Sequence, residues 1–142
     1  MEPSPAVRLR QLCRFLRLYE AQLTPPVPRT VLTPGESLLL QELLLTPESS
    51  AAELSDRLQM DKSYLSRLLR SLEQRQLVTR QVSPTDGRVQ LLTLTGRGEE
   101  AAALLQRRTD DQLTARLSTL SEAQLRRLAE AAETVQTLLG EE

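Results

Sequence analysis

A chain of 142 residues, 39% hydrophobic and 26% charged, has the length and balance of one soluble domain with its own core. That excludes global disorder, and it leaves no room for a catalytic domain beside a regulatory one. With no His and a single Cys, the chain lacks the means for imidazole or thiolate metal sites, Ser-His-Asp or Cys-His nucleophile systems and an intrachain disulfide, so neither cofactor nor metal is expected.

Three rings, Phe15, Tyr19 and Tyr64, are too few for a stacking platform on single-stranded nucleic acid. No run approaches about 18 apolar residues, and Met1 to Pro5 lack the basic-then-apolar layout of a secretory signal. A cytoplasmic protein without membrane contact is expected. The net charge of −1 is unevenly spread: residues 57–97 hold eight basic and three acidic groups (+5), between flanks of −2 and −4. Of the 18 basic residues only Lys62 is a lysine, and Arg is the better fork for phosphates and guanine edges, although genome base composition gives the same bias.

In chain order, Leu9, Leu12, Leu16, Tyr19 and Leu23 recur at steps of three and four, the seam of a helix over 6–23 that packs on other helices. Arg8, Arg10, Arg14 and Arg17 occupy its other sides. Thr24-Pro25-Pro26-Val27-Pro28 cannot continue a helix and forms a rigid loop. Thr33 as N-cap, Pro34 in the first turn and Glu36 three residues after the cap restart one, which runs to about Leu45. A second capping box, Ser50 with Glu53, opens a short helix that ends near Gln59 and Met60. Asp61 caps the next, whose Leu65, Leu68, Leu69 and Leu72 form one buried stripe up to about Arg75.

Two strand-like runs follow, Leu77 to Val82 and Arg88 to Leu94, joined by a turn from Ser83 to Gly87 in which Pro84 presets φ and Asp86-Gly87 tolerates positive φ. Thr95 caps a fifth helix through about Leu117, and Ser121 with Gln124 opens a sixth that ends at Gly140.

Two helices joined by a three- or four-residue turn and followed by a β-hairpin make a winged helix-turn-helix. The face of the fourth helix opposite its leucines carries Ser63, Ser66, Arg67, Arg70 and Gln74, with Lys62 at its start. Any amphipathic helix has a polar outer face, so the spacing alone divides evenly between a solvated face and a binding one. An ordinary solvated face, however, mixes Glu with Lys, whereas this one has two Arg, two Ser, one Gln and no carboxylate, which suits a polyanion. At the hairpin tip, Arg88 could enter the negative potential of a narrow minor groove with Asp86 orienting its guanidinium. From spacing alone, Asp86-Gly87 reads slightly better as a plain turn.

The run DKSYLSRLLRSLEQRQLVTR from Asp61 to Arg80, SPTDGR over 83–88 and LTLTGRG over 92–98 together resemble the MarR family of bacterial transcription regulators. The wing pattern is the specific part, and the order of helices on either side extends the likeness to nearly the whole chain. The resemblance implies a mainly α fold of about six helices and a β-hairpin wing, with a winged module over 33–95 and dimerisation helices over 6–24 and 96–140. It further implies a homodimeric repressor on a pseudo-palindromic double-stranded operator, with the fourth helix in the major groove, Arg88 in the minor groove and control by a small-molecule ligand. Gln76 stands where the family usually closes the recognition helix with Gly, which leaves the cap geometry there open.

The terminal segments support a dimer independently. Leu9, Leu12, Leu16 and Leu23, with Leu104, Leu113, Leu125, Leu128 and Leu138 among others, supply more apolar surface than a small winged domain covers.

Three alternatives remain. Residues 61–67 and 83–88 look most like MarR modules fused ahead of an acetyltransferase, which would make the chain the regulatory half of such a system; it ends at Glu142 without that domain, so no enzymatic activity is expected. A winged-helix module that binds protein and never DNA is the second. Gln11-Leu12-Cys13 resembles the local pattern of a MarR subgroup that senses hydroperoxides through a Cys of the first helix. A lone helical Cys is ordinarily a small buried hydrophobe, Arg14 replaces an apolar position, and the tyrosines of the sensor type are missing apart from Tyr19.

Overall fold

The computed structural model describes residues 1–140. Along the chain run α1 (Pro5–Ala21), α2 (Pro34–Leu45), β1 (Ser49–Ser50), α3 (Ala51–Leu58), α4 (Lys62–Gln74), β2 (Val78–Val82), β3 (Gln90–Leu94), α5 (Gly96–Arg116) and α6 (Glu122–Leu139). This is the mainly α, six-helix winged fold expected from the sequence. The last two residues of the expected 1–142 span lie outside the described residues. Two compact units follow one another, Met1–Thr109 and one from Asp110 onward; α5 begins in the first and ends in the second.

Short polar residues start the helices. Thr33, Ser50 and Ser121 each accept a bond from the backbone N–H three residues on, while Glu36, Glu53 and Gln124 reach back to the cap, completing three capping boxes. Asp61 accepts from the N–H groups of Ser63 and Tyr64 at the head of α4. Ser4 caps α1 through the N–H of Val7, with Pro5 in the first turn, so that helix starts a residue earlier than its leucine spacing indicates.

In the first unit the core is almost entirely leucine. Leu39, Leu40 and Leu43 of α2, Leu54 of α3, Leu65, Leu69 and Leu72 of α4, Leu92 of β3 and Leu105 of α5 are fully buried. The three-residue turn between α3 and α4 is shaped by Gln59, which caps α3 in the left-handed region at φ 52°. Ser55 Oγ donates to the Met60 carbonyl across that turn at 2.7 Å.

The sheet is larger than the expected hairpin. It has three antiparallel strands in the order β1-β3-β2, with Ser49 opposite Leu92 and Ser50 opposite Leu91. Two residues carry no alternation, and Ser50 doubles as the N-cap of α3, so β1 has no signature in the sequence. β2 begins at Val78 because Leu77 belongs to the close of α4, and β3 begins at Gln90 because the wing tip is bonded to itself.

At that close, Leu77 N–H donates to the Leu72 carbonyl at 2.9 Å and Gln76 N–H to the Glu73 carbonyl at 3.0 Å, with Gln76 at φ 59°. This is the Schellman pattern, with buried Leu77 and Leu72 as its apolar pair and Gln in the position where Gly is usual. The departure at Gln76 therefore leaves the cap intact but strained. Thr95 locks the head of α5 onto the same turn. Its Oγ1 donates to the Gln76 carbonyl at 2.7 Å and accepts from Gly98 N–H at 3.0 Å, and its own N–H donates to the Leu77 carbonyl at 3.0 Å. A Cβ on Gly98 would overlap the Leu77 carbonyl, so only glycine allows this approach.

The helix α1 has no fully buried residue: Leu9, Leu12 and Tyr19 are half-buried, as is Leu23 just beyond its end, and Leu16 is 52% exposed. In the second unit α6 likewise has none, and its Leu125, Leu128, Leu138 and Leu139 are exposed.

A left-handed non-glycine residue costs about 1–2 kcal/mol, and glycine there returns about 0.5–1 kcal/mol through unfolded-state entropy. Gln76→Gly is accordingly expected to raise stability by up to about 1 kcal/mol, read as a higher urea midpoint at unchanged m-value. A lower midpoint would show that the Arg97 contact to the Gln76 side chain outweighs the strain.

Candidate nucleic-acid interface

The helix α4 is divided lengthwise. Leu65, Leu68, Leu69 and Leu72 are buried, and Lys62, Ser63, Ser66, Arg67, Arg70 and Gln74 are all exposed on the other side. Among the described residues, Lys62, Arg67 and Arg70 enter no ion pair. Of the carboxylates that flank that face, Asp61 accepts from the N–H groups of Ser63 and Tyr64 and Glu73 is engaged by Arg80 of β2. The face presents cations, hydroxyls and an amide, with no acidic group competing for them. The Arg67 guanidinium lies over the Tyr64 ring, 5.8 Å from its centroid.

A buried carboxylate that the sequence shows only as a capping residue holds α4 against α2. Glu36 Oε1 accepts the Thr33 N–H at 2.9 Å. Its Oε2 accepts from Ser71 Oγ in the second half of α4 at 2.8 Å and lies 3.4 Å from Nη1 of Arg75, the C-cap of that helix. Burial pushes the Glu36 carboxyl up. The Thr33 N–H and hydroxyl, the Ser71 hydroxyl and the Arg75 charge outweigh it, and the net shift is downward from the usual carboxylate value.

The joint between α2 and α3 has a comparable device. Arg57 Nε donates to Glu42 at 3.0 Å, and its Nη2 donates to Thr46 Oγ1 at 2.9 Å and Ser49 Oγ at 2.6 Å. Neither Arg57 nor the pair Ser71 and Arg75 stands out from the sequence, because their partners lie up to 39 positions away.

The wing tip is preorganised. Ser83 N–H donates to the Val89 carbonyl at 2.8 Å, and Ser83 Oγ accepts from the N–H groups of Thr85 and Asp86, both at 3.3 Å. Asp86 Oδ1 accepts from Arg88 N–H at 3.0 Å and from its Nε at 3.3 Å. The Arg88 side chain remains 92% exposed, a guanidinium braced at its base and free at its tip. Together with Arg80 it borders a shallow cleft against the first turn of α3 at Ser50 and Ala51.

Cys13 is a free, exposed thiol on α1, so within a single protomer it is not the buried hydrophobe that a lone helical Cys ordinarily is. It shares no element with the α4 and wing residues. Among the described residues no cluster of acidic, Cys or His side chains could hold a metal ion. No helix among them is long and apolar enough to cross a membrane.

Comparison with known proteins meets this geometry at the same elements. Residues 32–89, from the head of α2 to the wing tip, match the MarR family. A protein of Thauera aromatica named as a transcriptional regulatory protein for the hcr operon is 34% identical over 89 residues, which take in 61% of this chain and 54% of that relative. The chain thus matches about half the length of that curated relative. The crystal structure of a MarR family transcription regulator superposes with a TM-score of 0.71 at 25% identity, over 94% of this chain and 91% of the other. A MarR family regulator from Listeria monocytogenes, solved with a 26mer DNA, gives 0.69 at 20% identity over 98% and 90% of the two chains.

The Glu36 network generates a test with a defined sign. Because its folded-state pKa is depressed, Glu36 contributes stability that is present above the unfolded value of about 4.5 and is lost as pH falls through the lower folded value. Glu36→Gln is expected to cost about 1–3 kcal/mol near neutral pH through the charged hydrogen bonds it loses. It should also flatten the acid limb of stability below about pH 4.5 relative to wild type. Parallel acid limbs in the two proteins would remove Glu36 from the linkage.

Proposed function

We propose, from its likeness to the MarR family over residues 32–89, that the chain is a MarR-type regulator: homodimeric, sequence-specific in DNA binding, of the cytoplasm and not an enzyme. The observation that carries this reading is the carboxylate-free face of α4 set beside a wing whose Arg88 is braced by Asp86. A helix with that face fits the major groove, where Arg67 and Ser66 reach base edges and Lys62, Ser63, Arg70 and Gln74 meet phosphates and flanking bases. Arg88 then enters the adjacent minor groove, whose negative potential rises as it narrows. The cluster of positive charge over 57–97 gives the electrostatic footprint such binding needs, despite a net charge of −1.

The dimer reading rests on exposed apolar side chains at both ends of the chain. Phe15 and Leu16 of α1 and Leu125, Leu128, Leu138 and Leu139 of α6 are between 37% and 76% exposed. Two copies meeting through α1, α5 and α6 would cover them. Two-fold symmetry then presents two α4 helices to half-sites about one DNA turn apart, hence a pseudo-palindromic operator. A repressor released by a small-molecule effector is the mode of control that this likeness favours.

Selection and sequencing of the genomic fragments retained by the purified protein tests the central reading, and a fragment pool indistinguishable from input DNA would end it. Sedimentation is expected to give twice the 16.0 kDa chain mass at micromolar concentration, and a well-folded monomer there would exclude the dimer. With up to about eight cationic contacts from two subunits, log Kd is expected to rise steeply with log salt, by several units. Arg88→Ala should weaken binding by about 1–3 kcal/mol, mostly through A·T-rich flanks, while Ser66→Ala or Arg67→Ala should change base preference inside the half-site. Equal affinity of Arg88→Ala and wild type at matched salt would take the wing out of the mechanism.

A further inference from the structure

Three cations stand on the exposed face of α4, and only one of them is restrained. Arg67 has its guanidinium over the Tyr64 ring one helical turn earlier, while Lys62 and Arg70 have no ion-pair or ring contact among the described residues. The ring is itself held. The Tyr64 phenol lies so close over Gly35, in the first turn of α2, that a side chain at Gly35 would overlap its hydroxyl. Tyr64 is nonetheless 39% exposed, which leaves its outer surface accessible to the arginine. It stands one turn before Arg67 and two turns before Ser71, whose hydroxyl fastens α4 to α2 through Glu36.

Resting on the DNA-binding reading, we propose that Tyr64 is a positioning residue for base recognition: its ring, wedged against the head of α2, fixes the Arg67 guanidinium in the pose that reads a base edge. A bidentate contact to a base depends on the orientation of the guanidinium plane, and an exposed arginine otherwise spends free energy on being ordered at binding. Stacking on an aromatic face supplies that order before DNA arrives. Arg70, with no such support, is left to contacts with less angular demand, such as phosphates.

The test has two arms. In the free protein, 15N relaxation at the arginine Nε is expected to report Arg67 as more restricted than Arg70. That difference should persist in Tyr64→Phe, which keeps the ring, and vanish in Tyr64→Leu; an unchanged difference in Tyr64→Leu would overturn the proposal. On a duplex taken from the selected pool, Tyr64→Leu is expected to raise Kd about two- to fivefold and to reduce discrimination at the base where Arg67→Ala changes preference, with Tyr64→Phe matching wild type. In an Arg67→Ala background the Tyr64→Leu change should have no further effect. A loss of the same size in that background would mean that Tyr64 acts on α2 packing alone, and unchanged affinity and discrimination in Tyr64→Leu would likewise overturn the role. Absence of any selected duplex for wild type would instead overturn the DNA-binding reading, and this role with it.

Discussion

Everything on the outer face of α4 depends on the burial of its inner face. Leu65, Leu68, Leu69 and Leu72 are sealed against the helices and sheet around them, and at about 1.5–3 kcal/mol each they supply a large part of what a domain of this size has as net stability. Because those four residues bury a single stripe, the outward positions Lys62, Ser63, Ser66, Arg67, Arg70 and Gln74 are free of packing duties. They can be cationic and hydroxylic without loss to the fold. A helix held by a broader apolar face would have had to give up some of the positions that Ser63, Arg67 and Gln74 occupy.

Polar contacts then complete what leucine packing leaves loose, since leucines determine which face is buried but permit some slide along the helix axis. Glu36 ties the head of α2 to Ser71 and Arg75, Arg57 ties α3 to the end of α2, and Glu73 ties α4 to Arg80 of the sheet. Each pairs a carboxylate with a cation from another element, so these three acidic groups are engaged inside the module. The cations left over face outward. The positive surface thus arises from where the carboxylates are spent as much as from where the arginines are placed.

Much of this was legible in the sequence because it is written locally. The capping boxes at Thr33, Ser50 and Ser121 and the stripe at Leu65 to Leu72 require only neighbours within a turn or two, and Asp86 with Arg88 lies inside one loop. What stayed hidden is long-range or too short to have a period. β1 is two residues that also serve as a cap, and the partners of Glu36 on α4 lie 35 and 39 positions away. Gln76 shows the intermediate case. Its departure from Gly was visible, but only the Leu72 and Leu77 pairing shows that the turn closes regardless. Tyr64 has no signature of its own in the sequence, because its value comes from contacts with Arg67 on one side and Gly35 on the other.

The junction formed by Gln76, Leu77, Thr95 and Gly98 has a mechanical consequence. It welds the head of α5 to the turn that closes α4 through two hydrogen bonds and a close backbone approach. Lys62, Ser63, Ser66 and Arg67 sit toward the opposite end of α4, whose 13 residues span about 20 Å. With the leucine stripe making the winged module one body, tilting α5 by about 5° at the weld sweeps that far end through about 2 Å. The module is a crank with its axle at the wing root: small rotations of α5 become displacements of the outer face of α4, and the fold needs no flexible hinge to convert one into the other.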